Sequence, residues 1–332
     1  GENDCVAIVV YASAEGLVLP STSGQQRQKI IDALERLQAG GSTNGGAGIE
    51  LAYRIAQDNF IQGGVNRVLL CTDGDFNVGT TSTGSLERIV EEKAKSGIFL
   101  SVLGFGRGNL NDAMMETISN KGNGNYAYID GVTEAQKVLV EQIGGTLVTI
   151  AKDVKIQIEF NPAQVAAYRL IGYENRMLAA EDFNDDKKDA GEIGAGHTVT
   201  ALYETVPAGG KVDLPAVDPL KYQAQAAPGG NQAASNELLT LKLRYKEPEE
   251  DSSKLLEFPL VDGKAPFGRA SADFQFASAV ASFGMLLRGS EHKGSGSYQA
   301  VLEIAESAKG ADKHGYRAEF VEIVRRAEAL AE

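Results

Sequence analysis

Two side chains with hard oxygen atoms, Thr43 and Asp73, are the residues whose types and positions could support chemistry in this chain. Asp73 belongs to a turn-forming polar cluster, residues 72–75, that directly follows the apolar run 68–71. Thr43 lies in a glycine-rich turn, residues 40–46, ahead of a predicted helix. A hydroxyl and a carboxylate suit Mg²⁺ or Ca²⁺ and do not suit softer metals. The alternative is that both side chains only hold turns by hydrogen bonds.

Alternating strand and helix patterns over residues 1–149 predict the elements that position these side chains. Such a pattern is typical of a Rossmann-like parallel sheet with helices on both faces. Ligands of these sheets lie beyond the carboxyl ends of the strands, where both turns are predicted to fall. We predict a loop at residues 13–23. The predicted strands are 6–11, 67–71, 98–103 and 125–129, and the predicted helices are 25–38, 47–60, 84–96, 111–120 and 132–146.

A change of periodicity at about residue 150 marks a second region, residues 150–332. Apolar and polar residues alternate along Val154 to Phe160, which indicates a half-buried strand of an antiparallel sheet. We predict a β-sandwich-like part over residues 150–265 and a helical tail over 270–332. Its further strands are predicted at 165–171, 198–206, 238–245 and 255–260, its loops at 184–196 and 216–235, and its helices at 271–288, 297–308 and 314–331.

Composition and charge exclude several classes of partner. A length of 332 residues fits two domains. A formal net charge of −13 argues against nucleic acid and anionic membrane surfaces as partners. No run of eighteen apolar residues is present, so no membrane span is predicted. Cys5 and Cys71 lie in apolar strand patterns, and we expect both to be buried, reduced core residues.

Motifs for nucleotide or hydrolase chemistry are weak in this sequence. The turn at residues 40–46 lacks the Lys-Ser/Thr ending of a phosphate-binding loop. The stretch 104–108 follows a strand but lacks the dinucleotide spacing and the acidic residue that such sites require. The three histidines are scattered, and no nucleophile elbow or zinc motif occurs. The acidic run between Glu181 and Asp189 does not match a calcium loop, and we expect a solvated loop there.

Three segments together carry a resemblance to a known family: Gly40-Gly41-Ser42-Thr43, the stretch from Leu70 to Asn77, and the stretch from Ser101 to Gly106. The chain resembles a von Willebrand factor type A domain. It is similar to the bacterial members in which that domain is followed by a conserved domain of unknown function, here from about residue 150.

The resemblance implies a metal-ion-dependent adhesion site for Mg²⁺ or Ca²⁺. It makes Thr43 and Asp73 the metal ligands and places Asn44, Asp75 and Asn77 on the partner-binding rim. The family's first loop, an Asp-x-Ser-x-Ser motif, does not occur in this chain, and residues 1–12 resemble the family's second strand. We therefore expect a missing central strand, unpaired strand edges, and a metal site that binds weakly or not at all in this chain but is complete in a longer parent protein.

The function implied by the resemblance is a non-enzymatic, cation-dependent adhesion or assembly module of the bacterial cell envelope. Its partner would be a protein that offers a carboxylate to the metal. No signal peptide is visible before residue 6, so this location rests on the resemblance alone. Two alternatives stay open: a nucleotide-dependent α/β enzyme that uses the glycine-rich loops, and a purely structural envelope component.

Overall fold

The computed structural model describes residues 1–11, 16–38, 40, 45–74, 83–106, 110–173, 177–210 and 235–331. The chain divides into two compact units. The first unit comprises Gly1–Lys155, Phe183–Thr198 and Arg244–Leu255. The second comprises Ile156–Asp182, Val199–Leu243 and Leu256–Glu332.

A parallel sheet of three strands lies at the centre of the first unit, in the order β3-β4-β5. These strands are β3 (Asn66–Thr72), β4 (Ile98–Phe105) and β5 (Tyr126–Ile129). Val68 is paired with Leu100, so the carboxyl ends of β3 and β4 lie side by side. The parallel sheet that the sequence predicts is therefore confirmed.

Helices cover both faces of this sheet. On one face, β3 and β4 contribute alternate apolar residues to a core that also contains residues of α2 (Gly45–Asp58), α3 (Thr83–Ala94) and α4 (Asp112–Lys121). On the other face Leu103 and Ile129 pack with Val138 from a π-helical turn, Lys137–Glu141. That turn lies between α5 (Val132–Gln136) and α6 (Ile143–Leu147), so the predicted helix at 132–146 is interrupted.

A β-hairpin precedes the parallel sheet. Strand β1 (Cys5–Val10) pairs antiparallel with β2 (Gly16–Ser23), and α1 (Arg27–Glu35) follows. The loop predicted at residues 13–23 is therefore wrong for residues 16–23. Pro20 made the segment look like a loop, but proline is tolerated on an edge strand because its missing N–H can face away from the ladder.

The expected burial of the two cysteines is also wrong. Cys5 and Cys71 are free thiols, as expected, but both residues are exposed. In the described part of the chain β1 pairs only with β2, and β3 pairs only with β4. β3 is therefore an edge strand among the described residues, and Leu69, on the same side of this strand as Cys71, is 38% exposed.

A four-stranded sheet has the order β11-β10-β6-β8. Its members are β6 (Thr149–Phe160), β8 (Gly191–Gly194), β10 (Glu237–Lys246) and β11 (Lys254–Val261). Strand β8 lies inside the loop predicted at 184–196 and was not expected. Its sequence, Gly-Glu-Ile-Gly, is too short to show alternation, and pairing with β6 is what makes it a strand.

The second unit contains a further antiparallel pair and three helices. Strand β7 (Val165–Ile171) pairs with β9 (Leu202–Pro207). The predicted helical tail is confirmed by α7 (Ala272–Leu287), α8 (Tyr298–Ser307) and α9 (Tyr316–Ala331). These helices share an apolar core. Among the described residues, none of the helices is both long and apolar enough to cross a lipid bilayer.

Candidate metal centre

Asp73 lies immediately beyond the carboxyl end of β3, in a tight turn. Thr72, the last residue of the strand, is buried, and its Oγ1 accepts a hydrogen bond of 3.0 Å from the backbone N–H of Gly74. Gly74 has a φ of +79°, which a residue with a side chain adopts only with strain. This local turn leaves the Asp73 residue exposed at the edge of the sheet.

The loop after β4 adjoins Asp73. Gly106 has a φ of +99°, and a Cβ atom added there would lie 3.6 Å from the Cβ of Asp73. The hydroxyl of Tyr128 donates a hydrogen bond of 2.8 Å to the Gly106 carbonyl oxygen, which ties this loop to β5. The residues directly after β3 and β4, Asp73 and Gly106, therefore meet at one edge, as expected for parallel strands.

The N-terminus of α4 approaches the same turn. Asn111 caps this helix by accepting a hydrogen bond of 3.2 Å from the backbone N–H of Met114. A Cβ atom added to Gly74 would lie 3.1 Å from the Asn111 backbone nitrogen, so a larger residue has little room there. The N-terminus of a helix carries partial positive charge, which favours carboxylates in their ionised form nearby.

Tyr11 is a residue at this edge that the sequence analysis missed. Its hydroxyl donates a hydrogen bond of 2.5 Å to the Cys71 carbonyl oxygen on β3. Burial raises the pKa of Tyr11; the Thr72 hydroxyl opposes this rise, and the negative charges of Cys71 and Asp73 add to it. The signal in the sequence was a tyrosine placed directly after the apolar run of β1.

Tyr11 also connects this edge to α2. A Cβ atom added to Gly48, in the first turn of that helix, would come within 2.4 Å of the Tyr11 Cβ. Glycine is required at this position because the helix backbone lies against the tyrosine. The start of α2 and the ends of β3 and β4 therefore belong to one edge of the first unit.

Of the five predicted site residues, Asp73 is the one that the structure describes. Thr43 and Asn44 lie outside the described residues, directly ahead of the start of α2 at Gly45. Asp75 and Asn77 also lie outside them. Whether these residues meet Asp73 around a cation stays a prediction.

The scattered histidines and the acidic run have structural surroundings. His197, His292 and His314 are exposed, and the ring of His314 stacks on that of Tyr316. The acidic run is only partly the solvated loop that we expected. Most of its side chains are exposed, but backbone carbonyls within it accept hydrogen bonds from two buried lysines, Lys155 and Lys246.

The parallel sheet and its flanking helices belong to a von Willebrand factor type A domain. Residues 1–142 match the family described as von Willebrand factor type A domain. Residues 145–330, more than half of the chain, match the family described as uncharacterized protein YfbK, C-terminal. The chain belongs to this YfbK family, and it combines a von Willebrand factor type A domain with a C-terminal domain of unknown function.

One relative is the uncharacterized protein YfbK of Escherichia coli strain K12, 48% identical over 334 residues. The match covers all of this chain and 56% of that protein, so the chain spans about half the length of its curated relative.

Two solved structures are also similar. A von Willebrand factor type A protein from Catenulispora acidiphila is 14% identical, with a TM-score of 0.46, and the match covers 98% of this chain and 74% of that one. The conserved hypothetical protein BatB from Bacteroides thetaiotaomicron is 26% identical, with a TM-score of 0.35, over 42% of this chain and 78% of that one.

Proposed function

We propose that this chain is a non-enzymatic module that binds a protein partner through a divalent cation at the carboxyl edge of its parallel sheet. Membership of the von Willebrand factor type A family supports a role in protein interaction. The observation that carries the proposal is the placement of Asp73, which is exposed in a tight turn beyond β3, beside the loop that follows β4.

The donor chemistry of this edge fits a hard cation. An exposed carboxylate on Asp73 suits Mg²⁺ or Ca²⁺, and Thr43 would supply a hydroxyl as a second ligand. The Asp-x-Ser-x-Ser motif is absent from this chain, so we propose that the cation is held weakly here and more tightly in a longer parent protein. A carboxylate from the partner would complete the coordination, and the bacterial cell envelope is the proposed location.

The nucleotide-dependent alternative has less support. Gly104, which begins the second glycine-rich stretch, faces Tyr126, and a Cβ atom there would lie 3.0 Å from the tyrosine hydroxyl. Close packing alone therefore accounts for this glycine. A thermal unfolding series with ATP and GTP tests the alternative, because a true ligand must raise the melting temperature by mass action.

Calorimetric titration of Mg²⁺ and Ca²⁺ tests the proposal. The proteins are the wild-type chain, Asp73→Asn, and a version extended at its N-terminus with the preceding residues of the parent protein. Asp58→Asn is the matched control, because Asp58 is an exposed aspartate at the opposite end of α2. We expect weak cation binding in the wild-type chain and tighter binding in the extended protein. The heat of cation binding at the sheet edge should be lost in Asp73→Asn and kept in Asp58→Asn.

Partner binding is tested with the same variants. Envelope proteins captured by the extended protein should be released by EDTA and should not bind the Asp73→Asn variant. A heat of binding that Asp73→Asn leaves unchanged in the extended protein would overturn the proposed metal site. Partner capture that is insensitive to EDTA, and that maps to residues 150–332, would favour the structural alternative instead.

A further inference from the structure

Three acidic side chains from different parts of the sequence meet within the first unit. Asp153 lies on β6, Asp189 lies just before β8, and Glu192 lies on β8. One carboxylate oxygen from each lies within 4.8 Å of the others. None of these residues belongs to the edge around Asp73, and we call them the acidic cluster.

The local backbone turns Asp153 out of the regular strand. The pairing of β6 with β8 shifts register between Ala151 and Val154, and Asp153 has a φ of +53°. A residue other than glycine in this left-handed region marks a local irregularity of the strand. The shift leaves the Asp153 side chain beside the segment that carries Asp189 and Glu192.

No other residue donates a hydrogen bond to the Glu192 carboxylate. Each of its two carboxylate oxygens has less than 1 Å² of accessible surface, and neither makes a hydrogen bond. Burial raises the pKa of Glu192 well above its ordinary value, and the charges of Asp189 and Asp153 raise it further. A buried carboxylate without a hydrogen bond is costly, so this group indicates that a positive ligand is missing from its surroundings.

The neighbouring cations do not fill this need. Lys246 on β10 donates to Asp153 Oδ2 at 2.7 Å, and Lys121 at the end of α4 donates to Asp189 Oδ2 at 2.8 Å. The charge of Arg67 favours the ionised form of Glu192. Its two terminal guanidinium nitrogens, however, donate to Ser101 and Thr149, at 2.6 and 2.8 Å.

The lysines also leave ligand positions open on the two aspartates. Each lysine occupies one oxygen of its aspartate, and Asp153 Oδ1 accepts a further hydrogen bond of 3.1 Å from the Ala190 backbone N–H. A carboxylate has about four lone-pair sites, so both aspartates retain acceptor capacity. The lysines therefore position Asp153 and Asp189 without neutralising Glu192.

A cleft of about 450 Å³ brings solvent to the two aspartates of the acidic cluster. Asp153 and Asp189 line this cleft, together with Lys121, Lys246 and the exposed Glu91. An ion can therefore reach the carboxylates of Asp153 and Asp189 in the folded protein.

We propose that Asp153, Asp189 and Glu192 form a binding site for a hard divalent cation, with Ca²⁺ preferred over Mg²⁺. The three ligand oxygens lie within 4.8 Å of one another, close enough to bind one cation together. Ca²⁺ accepts irregular, all-oxygen coordination more readily than Mg²⁺, which requires near-ideal octahedral geometry.

The ion would supply the positive charge that Glu192 lacks and would hold the segment 185–192 against β6. Nearby lysines repel cations, so we expect an affinity in the range of extracellular calcium modules, roughly 10⁻⁴–10⁻³ M. Binding to the native state alone stabilises it by mass action. Saturating Ca²⁺ should therefore raise the melting temperature by roughly 2–4 °C.

The test measures thermal unfolding of the whole chain at pH 7.5 with Ca²⁺, Mg²⁺ or EDTA. Five proteins are compared: wild type, Asp73→Asn, Glu192→Gln, Asp189→Asn, and the control Glu91→Gln, which removes an exposed carboxylate from the same cleft. We expect Ca²⁺ to raise the melting temperature of wild type, Asp73→Asn and Glu91→Gln. The response should be absent from Glu192→Gln and reduced in Asp189→Asn.

Two results would overturn the cation site. The first is a Ca²⁺ response that survives in Glu192→Gln and Asp189→Asn but is lost in Asp73→Asn; the only cation then binds at the sheet edge. The second is no response of the Asp73→Asn protein to 10 mM Ca²⁺ or Mg²⁺, which would show that Glu192 holds only a proton. If Asp73→Asn removes the calorimetric heat of cation binding but keeps the rise in melting temperature caused by Ca²⁺, the two sites are supported independently of each other.

Discussion

Asp73 and Glu192 belong to the same compact unit and offer the same carboxylate chemistry, but their surroundings are opposite. Asp73 is exposed in a turn, where water solvates its charge whether or not a cation is bound. The carboxylate oxygens of Glu192 are buried without a hydrogen bond. A cation at Asp73 would add affinity for a partner and change the fold little, whereas a cation at Glu192 would remove a cost of folding. Stability measurements can therefore distinguish the two sites.

The two carboxylates are also held by different kinds of interaction. The turn of Asp73 is local, because Thr72 and Gly74 form its hydrogen bond. Glu192 depends on the pairing of β8 with β6, and its neighbours Asp153 and Arg67 are distant in the sequence. Substitutions near Asp73 should therefore change only the local turn, whereas substitutions around Glu192 should change the stability of the whole first unit.

The largest effect is expected from Lys246→Met, which tests whether the acidic cluster is truly desolvated. The change preserves the apolar stem but leaves the nearly buried Asp153 carboxylate without its ion-pair partner at 2.7 Å. Removal of one member of such a pair costs about 3–5 kcal/mol in the free energy of unfolding. Urea denaturation measures it. Lys254→Met, which breaks an exposed pair with Glu247, is the control and should cause no measurable change.

A loss below about 1 kcal/mol in Lys246→Met would contradict the contrast between the sites, because water would then be solvating Asp153.

The next largest expected effect is a gain in stability. In EDTA at pH 7.5, Glu192→Gln should raise the free energy of unfolding by about 1–2 kcal/mol, because an amide of similar shape replaces a carboxylate that is costly to bury and accepts no hydrogen bond. Urea denaturation of both proteins measures the difference, and Glu91→Gln in the same cleft should show none. A loss of stability would mean that the ionised Glu192 is already well compensated by Arg67.

Tyr11→Phe should lower stability by about 1 kcal/mol, because it removes the hydrogen bond to the Cys71 carbonyl oxygen. Tyr128→Phe is the matched control. Its hydroxyl also donates to a backbone carbonyl at this edge, but Tyr128 is 37% exposed, so water can replace the bond and the loss should be smaller.

The Tyr11 contribution should also depend on pH. Burial raises its pKa above that of an unfolded tyrosine, about 10. The stability that the neutral hydroxyl contributes is therefore fully present below pH 10 and is lost as the pH rises through the folded-state pKa. The difference between wild type and Tyr11→Phe should be constant from pH 7 to 9 and should shrink above pH 10. A difference that already shrinks below pH 9 would contradict the burial of this hydroxyl.

The smallest effect is expected from Asp73→Asn. In EDTA its free energy of unfolding should stay within about 0.5 kcal/mol of wild type, because the side chain is exposed and the Thr72–Gly74 hydrogen bond does not involve its carboxylate. Urea denaturation measures this. A loss above 2 kcal/mol would make Asp73 a structural residue of the turn.

Much of the fold was predictable because its patterns are local. The alternation of strands and helices predicted the parallel sheet, and helical spacing predicted α7, α8 and α9 within a few residues. The placement of Asp73 also followed from local pattern, since polar residues after a short apolar strand lie at the carboxyl edge of the sheet. Strand β2 was missed because Pro20 and the surrounding small residues resemble a loop.

The acidic cluster could not be predicted in this way. In the sequence, Asp189 and Glu192 lie in a polar stretch that is typical of a solvated loop. The burial of the Glu192 carboxylate and the neighbours of both residues depend on β8, a strand of four residues that exists only because it pairs with β6.

The sequence by itself determined the parallel sheet and the carboxylate at the end of β3, because periodicity and turn chemistry act over a few residues. The class of protein followed from the resemblance of three segments to a known family. Only the tertiary structure decided which charges are buried and which are solvated. It exposed Cys5 and Cys71, which lie on β1 and β3, each an edge strand among the described residues. It also buried Glu192 beside Asp153 and Asp189, since the cost of burying a charge depends on groups that only the folded chain brings together.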